Sequence, residues 1–411
     1  MNRIRFILRS LDKEWFLIIL IGLILRLILN NIVYSRDAYS FVMWARYLQD
    51  HSLTDLYEFL PEGYLPYPPV YYYLLMLLGK ILIWFNVVNN SWQAYFIVKL
   101  PVYLSEILTA TAIHYTVKSW QDKASAIIST GYYYFNPALI YVTSIWGQID
   151  AVIICLTLFS LLAWIKHKYL IAWFIYLFAV LTKPHALVLL PLIGALSLKK
   201  LKFNYMVKLF LVLTLTSLIL FSPLIIQKGM EWTARYFFQI INQYPYTSVY
   251  AYNLWSVVGF MIPDVIPTGF GLIYKYLGLG LFVSISLLII LPIIKTKHIT
   301  DKNIIYASLL LWFAFYFFPT RIHSRYLIYS LGFIAPFFNH MPIAAMMLML
   351  LIIVNLILPS HNYQLSPVVS LLQQKFSVWM WVIFGLILFI YFCYQYYLLF
   401  KKVNGTTKNT S

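Results

Sequence analysis

The chain holds 13 acidic residues against 30 basic ones, so few carboxylates are available to move a proton. One of them, Asp37, stands where the first apolar run gives way to polar sequence, in Tyr34-Ser35-Arg36-Asp37-Ala38-Tyr39. A carboxylate there could take a proton from a hydroxyl at a membrane rim, or equally cap a helix or pair with Arg36. Asp150 closes Trp146-Gly147-Gln148-Ile149-Asp150, which reads as a shaped turn leading into an apolar run, with an N-cap role as the alternative. Glu106 lies inside KLPVYLSEILTA. An acid within a membrane segment is costly and points to function by default, unless a cation such as Lys99 neutralises it. Asp50, Asp55 and Glu58 sit in polar QDHSLTDLYE and read as solvated loop charges.

The cations are arranged as if for an anion. Lys183 and His185 fall in LTKPH between two short apolar runs, and Arg321, His323 and Arg325 alternate in PTRIHSRY. Arginine binds phosphate through two parallel hydrogen bonds, so a basic cluster between helices suits a phosphate group. Snorkelling of single side chains to the interface is the alternative for each cation. The two histidines could also be satisfied in the core. Tyr64, Tyr67, Trp146 and Trp255 could face sugars or lipid tails, or belong to an interfacial aromatic belt. No HExxH, paired CxxC or Asp-x-Asp element occurs, so no motif demands a metal or another cofactor.

The elements that must position these groups are membrane helices. The 411 residues are 62% hydrophobic and 10% charged, whereas soluble chains are roughly 45–50% apolar and about 25% charged. Runs such as 15–29, 209–221, 277–294 and 344–358 approach the roughly 20 residues that cross about 30 Å of hydrocarbon. The expectation is an all-α polytopic membrane protein forming one domain over 1–411, with about ten to twelve spans. These are placed near 15–33, 96–117, 124–143, 150–165, 169–182, 185–198, 208–227, 270–294, 304–318, 326–339, 341–358 and 378–400. Arg26 interrupts the first apolar run and no small-x-small cleavage site follows it, so that run reads as a retained helix. Cys155 and Cys393 lie in apolar runs and imply no disulfide framework. The formal charge of +17 is read as the positive-inside bias rather than as nucleic-acid binding.

Charge also sets the topology. If residues 70–88 lie along the outer interface rather than spanning, the cytoplasmic side receives Arg3, Arg5, Arg9 and Lys13, then Lys118, Lys123, Lys166, Lys168 and Lys199 to Lys208. Lys295, Lys297, Lys302, Lys401, Lys402 and Lys408 follow on that side. Two long segments, 34–95 and 228–269, then face outward and are expected to carry function.

Taken in order, Asp37 with Phe41-x-x-Trp44-Ala45, Tyr67-Pro68-Pro69-x-Tyr71, Asn136-Pro137, WGQIDA (146–151), TKPHALVLLP (182–191), Asn253-Leu254-Trp255 and PTRIHSRYL (319–327) resemble the GT-C superfamily. Its members are membrane glycosyltransferases that use polyisoprenyl-phosphate sugars. Within it the chain is most similar to prokaryotic mannosyltransferases related to the GPI-anchor mannosyltransferases. The similarity covers about 34–330 and implies an acceptor-activating base at Asp37, with a non-spanning interfacial segment after Tyr67-Pro68-Pro69. This chain has Ser324 where relatives commonly carry an acid, and His185 where many carry glutamine.

The resulting expectation is an inverting transfer of a hexose, mannose first, from a polyprenyl-phosphate donor to an acceptor hydroxyl at the outer face of a prokaryotic plasma membrane. Asp37 is the base, and Lys183, His185, Arg321, His323 and Arg325 hold the donor phosphate. Arg36, Tyr67, Trp146, Gln148, Asp150, Asn253 and Trp255 line the sugar and acceptor side. The expected partners are the lipid-linked donor, the bilayer, and a glycolipid, glycan or protein acceptor; no cofactor, metal or nucleic acid is expected. A transporter or flippase of lipid-linked sugars, or a glycan polymerase or ligase, is the competing expectation.

Overall fold

The computed structural model describes residues 12–32, 36–60, 67–358 and 366–406. Arg3, Arg5, Arg9, Tyr34, Ser35, Tyr64 and Lys408 lie outside the described residues. Among the described residues the chain is helical, with isolated backbone bridges and no strand. Helix α1 (Lys13–Leu29) is followed by α2 (Asp37–Asp50), α3 (Leu53–Phe59) and α4 (Pro69–Trp84). Next come α5 (Trp92–Trp120), α6 (Lys123–Tyr134) and the short α7 (Pro137–Ile140). A π turn (Tyr141–Ile145) leads from α7 towards α8 (Asp150–Ile165), and α9 (Tyr169–Thr182) packs on α8. A 3-10 turn (Pro184–Leu189) opens α10 (Leu190–Lys200), and the long α11 (Phe203–Ile241) bends at Gly229, whose φ is 85°. After α12 (Tyr274–Lys295) and α13 (Asp301–Phe317), a 3-10 turn (Ser324–Ser330), α14 (Leu331–Ile334) and another 3-10 turn (Ala335–His340) run in series. Helices α15 (Pro342–Ile357), α16 (Ser366–Gln373) and α17 (Lys375–Thr406) complete the described chain.

Local chemistry explains the boundaries. Ser52 and Thr300 form capping boxes with Asp55 and Asn303, while Ser91 and Asp122 cap α5 and α6. Pro69, Pro137, Pro184 and Pro342 open elements at positions where a missing N–H leaves nothing unpaired.

Among the described residues four helices are long and apolar enough to cross a bilayer: Trp92–Trp120, Phe203–Ile240, Tyr274–Lys295 and Lys375–Lys401. Only 11% of the most apolar stretch of Phe203–Ile240 is buried in the fold. Such a surface is stable against lipid and not against water, so the molecule is an α-helical membrane protein. The expected spans at 124–143 and 150–165 form instead a pair bent by 120°. The stretch expected as one span at 326–339 is divided among two 3-10 turns and α14, with Pro336 opening the second turn. Helix α4 has 16 residues and would extend about 24 Å, short of the hydrocarbon thickness.

Side-chain ties show which helix ends lie together. At one end Asp12 accepts from Lys118 at 2.7 Å, Lys123 pairs with Glu14 at 2.7 Å, and Lys302 lies 5.6 Å from the Trp120 ring. Lys199 donates to the Ile293 carbonyl at 2.9 Å, joining α10 to the same end of α12 that Lys295 closes. At the other end Asn30 donates to the Trp92 carbonyl at 2.8 Å, and the Trp92 indole donates to the Leu27 carbonyl at 3.1 Å. The chain therefore leaves α1 and enters α5 at one end of the molecule, and α2 to α4 between them make no net crossing. Lysines gather at the opposite end.

Candidate functional site

The site is built around a turn that glycine permits. Gly147 has φ 81°, and a Cβ there would lie 2.8 Å from the Cβ of Ala38. A side chain is excluded both by the left-handed backbone and by the close approach of the first turn of α2. That approach delivers the flanking side chains to Asp37, the first residue of α2. Its Oδ2 accepts from Trp146 Nε1 at 2.8 Å and from Gln148 Nε2 at 2.5 Å. Asp37 is half-buried, with Arg36 exposed beside it at the N-cap. Tyr67 is buried behind α2, its ring 5.9 Å from Phe41 and 4.7 Å from Tyr71, and its carbonyl accepts from the Tyr57 hydroxyl.

Asp150, two residues beyond Gln148, is fully buried at the start of α8. Its side chain is engaged across the bundle: Oδ1 accepts from Lys183 Nζ at 2.6 Å and from the Tyr329 hydroxyl. Pro184 disfavours helical backbone at Lys183, which is extended (φ −153°, ψ 121°) where α9 ends. Arg325 brings its Nε to 3.6 Å from Asp150 Oδ2, its Nη1 to 3.3 Å from His323 Nε2, and its Cζ to 5.1 Å from the centre of the Trp146 ring. The His323 ring meets the Trp146 ring edge-on at 5.6 Å. One indole thus separates the Asp37 carboxylate from the Arg325 and His323 pair.

The 3-10 turn Ser324–Ser330 supplies residues that inspection of the sequence did not single out. Its three-residue period aligns His323, Tyr326 and Tyr329. Tyr326 is 4.2 Å from the His185 ring and 5.5 Å from Lys183 Nζ, and Tyr329 is bonded to Asp150. The i, i+3 spacing of the two tyrosines after an arginine was the available signal. Tyr244 adds a ring 6.2 Å from His323.

Several buried polar atoms here have no hydrogen-bond partner among the described residues: Gln148 Oε1, Asp150 Oδ2, His185 Nδ1 and Arg325 Nε. Burying polar atoms without a hydrogen bond is costly, and two of these four, Asp150 Oδ2 and Arg325 Nε, face each other at 3.6 Å as an ion pair. The cluster can hold an anion on Arg325 and Lys183 while a carboxylate stands across Trp146.

Other expected residues lie apart from this cluster. Arg321, left-handed at φ 67°, is held by both oxygens of buried Asp264, at 2.7 and 3.0 Å, and bonds Asn242 Oδ1 at 2.7 Å. Asn253 caps the turn Leu254–Val257 and donates to the Pro319 carbonyl at 3.3 Å; the Trp255 indole donates to the Phe318 carbonyl at 2.6 Å. These residues brace the segment that presents His323 and Arg325. Glu106 does not pair with Lys99. It takes two hydrogen bonds from Arg26, at 2.7 and 3.0 Å, and one from Thr143 at 3.0 Å, while Lys99 donates to the carbonyls of Asn30 and Ser144. Lys99 thus ties the chain ahead of Asp37 to the π turn ahead of Trp146. Among the described residues no three His, Cys, Asp or Glu side chains are grouped to hold a metal ion.

No family model matches this chain, and no curated protein matches it.

Proposed function

We propose that this protein is a membrane glycosyltransferase of the GT-C type, moving a hexose from a polyprenyl-phosphate donor to an acceptor hydroxyl. The observation that carries the reading is the pairing of Asp37 with the Arg325, Lys183 and His323 cluster across Trp146. The acceptor oxygen attacks the anomeric carbon on the side away from the phosphate, inverting it. Asp37 takes the hydroxyl proton, and the bond from the anomeric carbon to the phosphate oxygen breaks with its electrons on the phosphate. Arg325 and Lys183 then meet negative charge as it develops, where fixed cations accelerate most. Trp146 and Gln148 orient the base. The gathering of lysines at the opposite end supports a site facing away from the cytosol, by the positive-inside bias. Mannose as the sugar and a prokaryotic plasma membrane as the location rest on the sequence resemblance.

The test reconstitutes the full chain in vesicles with labelled polyprenyl-phosphomannose and a glycolipid acceptor. Asp37→Asn should slow transfer about 10²–10⁴-fold, the span of positioned proton transfer, with the protein still folded. Arg325→Ala should reduce use of the donor phosphate. Near wild-type transfer by both variants would sink the reading. Labelled donor crossing the bilayer with its phosphate bond intact would replace it with translocation, and products longer by many sugars with polymerisation.

A further inference from the structure

At the opposite end from Asp37, α12 and α17 leave a cleft of about 830 Å³ between them. Its floor is apolar and comes from both helices and α13: Ile285, Ile289, Leu310, Phe389 and Cys393. Tyr396 crosses it, its hydroxyl donating to the Ile289 carbonyl at 3.0 Å, which ties α17 to α12. From Ile285 to Lys295 the cleft follows about 15 Å of helix, roughly half the 30 Å hydrocarbon thickness and so the depth of one leaflet. Lys295, Lys297 and His298 stand at its mouth, exposed, and no acidic residue lines it.

These lysines are not consumed by the fold. The helix end that would attract them is already served by Lys199, which donates to the carbonyls of Ile293, Ile294 and Thr296. Among the described residues neither Lys295 nor Lys297 forms an ion pair, whereas Lys118 and Lys123 at the same end do. A leaflet-deep apolar cleft ending in unpaired cations is complementary to one kind of molecule, an acyl chain that carries a negative headgroup.

We propose that this cleft binds an anionic membrane phospholipid, its acyl chain along α12 and α17 and its phosphate at Lys295, Lys297 and His298. The 22 residues of α12 put this seat about 33 Å along the helix from its other end, where Tyr274 meets the Trp255 ring at 5.6 Å. It is therefore a separate site in the other leaflet and does not depend on the proposed reaction. Basic clefts between helices on the cytoplasmic side are suited to such headgroups.

The experiment is native mass spectrometry of the full chain, extracted in mild detergent and titrated with phosphatidylglycerol or phosphatidylcholine. Each lysine near a charged headgroup contributes about fivefold in binding, so the two together predict roughly a 30-fold preference for phosphatidylglycerol. Lys295→Gln with Lys297→Gln should bring the two lipids to near parity. Leu288→Trp, which fills the cleft from its exposed wall, should reduce retention of phosphatidylglycerol without touching a cation. Lys166→Gln with Lys168→Gln removes as much charge from another exposed loop and should leave the preference intact. Equal retention of both lipids by the wild type would overturn the proposal, as would loss of preference in the 166/168 variant. Unchanged retention in Leu288→Trp would also overturn it.

Discussion

Two buried ionic clusters sit on either side of the turn 141–149, and they differ in what they leave unbonded. Arg26 and Glu106 form a closed unit. Both residues are fully buried; the guanidinium gives two hydrogen bonds to Glu106 and others to the carbonyls of Gly22 and Tyr134, and it stacks 4.0 Å from the Tyr134 ring. Glu106 takes a further hydrogen bond from Thr143. In the cluster of Asp150, Lys183, His185 and Arg325, an oxygen and two nitrogens are buried with no hydrogen-bond partner among the described residues. Burial of charge is common to both, so burial does not separate structure from function. The hydrogen bonds left unmade on the charged groups themselves are what distinguish the two clusters.

The comparison predicts opposite outcomes when an arginine is removed. Arg26→Met leaves Glu106 buried without its cation and should destabilise the protein by about 3–5 kcal/mol, read as loss of the folded fraction in detergent melts. Arg26→Met with Glu106→Leu should recover most of that loss, because the remaining carboxylate was the cost. If Arg26→Met melts like the wild type, the closed cluster is not structural and the contrast fails. Arg325→Met should instead change stability by about 1 kcal/mol or less, since its hydrogen bonds are few and long, while reducing donor turnover about 10²–10³-fold. A large stability loss in Arg325→Met would show that the open cluster is as structural as the closed one.

Gly147→Ala probes the turn between them. The left-handed backbone alone costs about 1–2 kcal/mol with a side chain, and the 2.8 Å approach to Ala38 must also open. Trp146 and Gln148 would swing from Asp37, so transfer should fall further than stability does. Intrinsic tryptophan fluorescence should report the moved indole. Equal falls in stability and transfer would mean that the turn only holds the fold together.

Much of the open cluster was legible in the sequence because chemistry and punctuation coincide there. Lys183 precedes a proline, Asp150 ends a turn with a glycine, and His323 and Arg325 alternate, so each was visible as a polar group at a helix end. What stayed hidden depends on distant partners. Arg321 reads like Arg325 until Asp264, 57 residues away in sequence, occupies its fork. Glu106 has Lys99 close in sequence, yet its cation comes from α1, 80 residues away. Tyr326 and Tyr329 are masked in the sequence because an apolar run at 326–339 reads as an ordinary span with a 3.6-residue period. The 3-10 period of three places both on the face of His323. The helical membrane class followed from composition, whereas span boundaries did not, since bends such as the 120° break before α8 are set by packing.

A third ionic cluster, at the lysine-rich end, extends the comparison to water. Asp12, at the N-cap of α1, accepts from Lys118 at 2.7 Å and meets His114 Nε2 at 2.8 Å, with Lys123 at 3.7 Å. The hydrogen bond from Lys118, then that from His114, holds its carboxyl down from 3.8 to about 2. A carboxyl depressed on folding stabilises the protein fully above its unfolded value and loses that contribution as pH falls from about 3.8 to about 2. Lys118 is 39% exposed, so screening keeps the contribution small, about 0.5–1 kcal/mol. Asp12→Asn should lower the melting stability by that amount at pH 7 and flatten its dependence on pH between about 4 and 2. Added salt should shrink the difference between wild type and variant, whereas the Arg26→Met defect, shielded from solvent, should persist. A defect in Asp12→Asn as large and as salt-resistant as that of Arg26→Met would place this cluster with the closed, buried kind.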